Sequence, residues 1–67
     1  MIRNDQELTV TQERIAYFER LLAQLRVTAR PHEFAAVASG YRIEIERMHQ
    51  EVLDYLTRHA TEAAAAS

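Results

Sequence analysis

Sixty-seven residues with no cysteine, one glycine, one proline and a net charge of −2 allow one small domain. That length excludes a dinucleotide-binding unit with its substrate domain, a barrel and most self-contained enzymes. The missing thiols exclude a disulfide framework, a thiolate metal site and a cysteine nucleophile, and the acidic balance argues against a dedicated nucleic-acid binder.

In chain order, Met1-Ile2-Arg3-Asn4-Asp5-Gln6-Glu7 is polar and lacks the apolar centre of a signal peptide. No apolar run reaches the roughly 18 residues of a membrane span, so a cytoplasmic protein is expected. Thr9-Val10-Thr11-Gln12 fits the Thr-x-x-Gln form of a capping box and makes Thr9 the expected N-cap. Leu8, Ile15, Phe18, Leu22 and Leu25 then recur at the spacings of three, four and seven that mark one face of a packed helix, with Leu21 alongside. The first helix is placed at about 9–28, ending where β-branched Val27 and Thr28 precede a turn.

The turn, at about 29–31, is marked by Pro31. A proline is tolerated in the first turn of a helix, and it pushes the preceding Arg30 toward an extended conformation. A second helix follows over about 32–59, with Glu33 in its first turn to complement the helix dipole. Its stripe is Phe34, Ala38, Tyr41, Ile45, Met48, Val52, Tyr55 and His59, again at alternating spacings of four and three. Gly40 interrupts the pattern at a cost of about 1 kcal/mol relative to Ala and marks a kink, a close approach or a break into two helices. Residues 1–60 therefore form one helical-hairpin domain, and the alanine-rich 61–67 is expected to fray.

The fold class expected is all-α, an antiparallel two-helix hairpin. Two helices that bury one stripe apiece gain little against the entropy of ordering them, and Leu21, Val37, Ile43, Leu53 and Leu56 widen the apolar surface. A homodimeric four-helix bundle would cover these residues. The candidate core and interface comprises Ile15, Phe18, Leu22, Leu25, Tyr41, Ile45, Met48, Val52, Tyr55 and Leu56. Leu53, Leu56 and Ala60 form a second short stripe, which Leu21 is placed to face.

The chemistry-bearing motifs are sparse. Glu46-Arg47-Met48-His49 is a Glu-x-x-His element, the spacing that supplies ligands to di-iron bundles. With Ile45 and Met48 on the core stripe, Glu46 and His49 flank the seam on the solvent side, so no metal or other cofactor is assigned. A metal-binding bundle, in which dimerisation doubles this motif and Glu13 or Glu19 adds the remaining carboxylates, is an alternative function. His32 and His59 lack an oriented partner for acid–base work, and one glycine cannot build a phosphate loop. No catalytic residue is assigned, and a non-enzymatic protein is expected. Tyr17, Tyr41 and Tyr55 can be read as a stacking platform for bases, but Tyr41 and Tyr55 fall on the core stripe. The arginines alternate with acids (Arg14 with Glu13, Arg20 with Glu19, Arg42 with Glu46, Arg47 with Glu51, Arg58 with Asp54 or Glu62), which describes a self-compensating surface without a basic patch. No direct nucleic-acid or membrane contact is expected; a second copy of the chain or a different protein is.

Met1-Ile2-Arg3-Asn4, the Thr-containing helix start and Phe18-Glu19-Arg20-Leu21-Leu22 together resemble the N-terminal helical region of small bacterial antitoxin-type proteins similar to the XRE-type antitoxins. The likeness covers about the first 55 residues. In that group such a hairpin often precedes a helix-turn-helix domain, which does not follow Tyr55 here. The resemblance implies a toxin–antitoxin or regulatory accessory role through protein contacts, and it carries over no DNA-binding residue.

Overall fold

The first helix begins earlier than its threonines suggest. The computed structural model of the chain, which describes residues 1–58, places α1 at Asp5–Thr28 and α2 at Pro31–Leu56. Asn4, not Thr9, is the N-cap of α1: its side chain accepts the Glu7 N–H at 2.8 Å, while Glu7 Oε1 accepts the Arg3 N–H at 2.8 Å. This is a near-reciprocal capping arrangement displaced by one residue. Thr9 and Thr11 lie inside the helix, where their hydroxyls donate back to the carbonyls of Asp5 and Glu7. The extra turn wins because Asn caps better than Thr, Asp5 and Glu7 complement the dipole, and Leu8 is drawn into the seam.

α1 closes at Ala29, whose N–H donates to the Leu25 carbonyl at 2.9 Å. Ala29 and Arg30 are both extended, and Pro31 takes the first position of α2, where its missing N–H leaves no bond unmade. Arg30 offers no side-chain cap, but its carbonyl accepts the Phe34 N–H at 2.8 Å. α2 then runs without interruption through Gly40, which has a negative φ, so the glycine neither breaks nor turns the helix. The end lies at Leu56 and not at His59: Thr57 leaves helical geometry at φ −91° and ψ 0°, and the Arg58 N–H then donates to the Tyr55 carbonyl three residues back, at 3.3 Å, in place of the carbonyl four residues back. His59 and the alanine-rich tail lie outside the described residues.

The two helices pack antiparallel, and no strand occurs among the described residues. No described helix is long and apolar enough to cross a membrane. The buried core is Ile2, Ile15, Ile45, Met48 and Val52, with Leu8, Phe18, Leu22 and Tyr55 packed against it. Phe18 and Tyr41 stack across the seam with ring centroids 5.5 Å apart. At the open end the Tyr55 hydroxyl donates to the Asp5 carboxylate at 2.7 Å, linking residues fifty apart in sequence. The turn therefore closes one end of the hairpin, and Ile2 with the Asp5–Tyr55 bond closes the other.

Candidate interaction surface

The described residues form a two-helix layer with one seam and no further element behind it. Among the described residues Met48 is the most deeply buried, at 3% exposure, and no side chain is completely shielded. Ile15, Ile45, Met48 and Val52 lie in the seam; Phe18, Leu22, Leu25, Tyr41 and Tyr55 are half-buried along it. Leu56, read from sequence with that group, is 56% exposed. It lies about 100° round α2 from Tyr55, and Tyr55 is the residue turned toward the start of α1.

The flanks of the seam differ. One holds a groove of about 500 Å³ with Leu22, Phe34, Ala35, Ala38 and Ile45 in its wall and Ser39, Arg42 and Glu46 around it. The small side chains of Ala35, Ala38 and Ser39 are what leave it open. Further along α2, Leu53 and Leu56 are each more than half exposed. The opposite flank has a groove of about 570 Å³ in which Ile2, Val10 and Met48 are accompanied by Arg14, Arg47 and Glu51. Leu21 shares the stripe of Val10 and Arg14, at helical spacings of eleven and seven, and so lies across the seam from Leu53 and Leu56. Leu21 therefore does not meet Leu53 or Leu56, and Ala60, the third member of that stripe, lies outside the described residues.

Charge organisation on α2 follows helical spacing. Arg42 Nε donates to Glu46 Oε1 at 2.8 Å, and Arg47 reaches Glu44 at 2.6 Å and Glu51 at 3.6 Å. These contacts raise the Arg42 and Arg47 pKa values, chiefly through the hydrogen bonds to Glu46 and Glu44. Arg14 with Glu13 and Arg20 with Glu19 form no ion pair, since neighbouring residues on a helix point about 100° apart. Asp54 accepts from Gln50 at 2.9 Å in place of Arg58, and Glu62 lies outside the described residues.

Glu46 and His49 are both exposed, and Glu46 is engaged by Arg42. Among the described residues no three of His, Asp and Glu gather in a way that could hold a metal ion. His32 is exposed in the first turn of α2. Tyr17 is exposed beside Phe18, at 5.9 Å between centroids, whereas Tyr41 stacks in the seam and Tyr55 reaches Asp5. The three tyrosines therefore do not form one platform.

Ile2, Asn4 and Asp5 carry structural roles that helical periodicity alone misses. The Asn-x-x-Glu pattern at Asn4–Glu7 was the available signal for the cap. No family model, curated protein or solved structure matches the chain.

Proposed function

We propose that this chain is a non-enzymatic helical assembly module that associates with a second copy of itself, completing a four-helix bundle in a bacterial cytoplasm. The observation that carries this reading is the incomplete burial of the hairpin: its best-shielded side chain still meets solvent, while Leu53, Leu56, Ile43 and Tyr17 are each more than half exposed. Burying apolar area is the dominant favourable term in association, and an isologous dimer uses one patch twice. Light scattering coupled to size exclusion tests it. The expected mass is twice 7.8 kDa, and a monomer persisting to the highest soluble concentration would overturn the reading.

A second reading, an accessory protein that meets a different protein, draws on the antitoxin-type resemblance. Ile2 lies in the core and Asn4 caps α1, so part of the opening that carries the likeness serves to build the hairpin. On this reading the uncovered flank receives a partner's helix. Co-expression with the product of a neighbouring gene should then give a complex of fixed stoichiometry that replaces the homodimer.

A further inference from the structure

The groove beside Arg42 and the exposed leucines at the far end of α2 lie on one face of that helix. Ala35, Ser39, Arg42, Glu46, His49, Leu53 and Leu56 are all exposed and recur at spacings alternating four and three, the period of a helix–helix seam. Small residues occupy its start and large ones its end, with a cation and an anion at the centre. Building on the self-association proposed above, we infer that α2 pairs antiparallel with α2 of a second copy about a two-fold axis beside residue 44.

That axis sets Ala35 against Leu53 of the other copy, Ser39 against His49 and Arg42 against Glu46, each contact made twice. Leu53 then enters the groove that Ala35 and Ala38 leave open beside Leu22 and Phe34, so a large side chain meets a gap of the right chemistry. Arg42 holds its own Glu46 through Nε alone, which leaves both Nη groups to reach the other copy's Glu46. The axis also lies near the middle of α2, so the helices overlap along nearly their whole length. A parallel pairing in register fails on the same residues: it sets Arg42 against Arg42 and Glu46 against Glu46, and leaves the groove unfilled. The opposite flank is a poorer candidate, since Arg14, Arg47 and Glu51 surround its apolar residues.

Charge reversal tests the register. Arg42→Glu places like charges together twice in the dimer, and Glu46→Arg does the same with the opposite sign. Each variant alone should dissociate the dimer, weakening association by roughly tenfold or more. Mixing the two variants should restore a dimer, because every facing pair is again opposite in charge. Repair within a single helix cannot produce that rescue, since each variant chain keeps a like-charged pair of its own. Sedimentation reads the mass, and circular dichroism checks that both variants keep their helicity. A dimeric wild type with dimeric single variants overturns this register and leaves self-association standing. Monomeric variants that stay monomeric on mixing overturn it as well. A monomeric wild type overturns both.

Discussion

Replacing Gly40 by alanine should stabilise the protein by about 1 kcal/mol. Gly40 is an interior residue of α2 with a negative φ, and a Cβ built on it meets nothing within 4 Å. The added methyl group therefore neither strains the backbone nor clashes, and the whole propensity difference between glycine and alanine is available. Its main source is the unfolded chain, which loses freedom that glycine would otherwise have to give up on folding. For a chain of this size 1 kcal/mol corresponds to a rise in Tm of about 4–8 °C. Thermal melts followed by circular dichroism at matched concentration read this directly. Gly40 lies about 140° round α2 from Ala35, away from the face assigned to the second copy, so the gain should persist in a dimer. An unchanged or lowered Tm would refute the reasoning, and would mean that another chain's backbone comes close to Gly40.

Three other outcomes follow from the two ends of the hairpin and its seam. Asn4→Ala should cost about 0.5–2 kcal/mol in urea unfolding because the Glu7 N–H loses its acceptor, whereas Thr9→Ala should cost less; the reverse order would move the helix start back to Thr9. Ile45→Asp should abolish most of the helical circular dichroism, since it places a carboxylate in the buried core beside Met48, and native helicity in that variant would remove Ile45 from the seam. Tyr55 is held above its ordinary pKa of about 10, first by its hydrogen bond to Asp5, then by desolvation and the Asp5 charge. Its contribution is present below pH 10 and is lost as pH rises through the raised value. Tyr55→Phe should therefore be less stable than wild type at neutral pH, with the gap closing in alkaline solution. A gap that stays constant with pH would show that the Asp5 bond contributes nothing.

The seam was legible from sequence because it is a local, periodic feature. Ile15, Ile45, Met48 and Val52 sit where spacings of three and four put them, and Pro31 stands at the start of α2 for a reason confined to its own ring. The ends were less legible because long-range contacts help decide them. Thr9 and Asn4 are both competent caps, and the choice of Asn4 draws Leu8 and Ile2 onto α2, which no window of neighbouring residues contains. Leu56 shows the limit of pattern reading in the other direction. It is apolar and one residue from Tyr55, but only the position of α1 decides that Tyr55 turns inward and Leu56 outward. Gly40 reads as punctuation in the sequence, but a helix packed along one face can carry a glycine on a flank without breaking.

What distinguishes the face proposed for association is the order of its residues more than its hydrophobicity. An apolar stripe of leucines alone would pair with itself in several registers and both directions, because the hydrophobic effect is non-directional. Alanine and serine at one end of α2, leucine at the other and an Arg42–Glu46 couple between them remove most of those choices. Small must meet large and cation must meet anion, and only the antiparallel register about residue 44 satisfies all three contacts together. An exposed ion pair gives little net affinity, yet like charges brought together are costly. In the proposed dimer Arg42 and Glu46 would therefore act mainly by excluding wrong pairings, while Leu53 and the groove beside Phe34 would supply most of the buried apolar area.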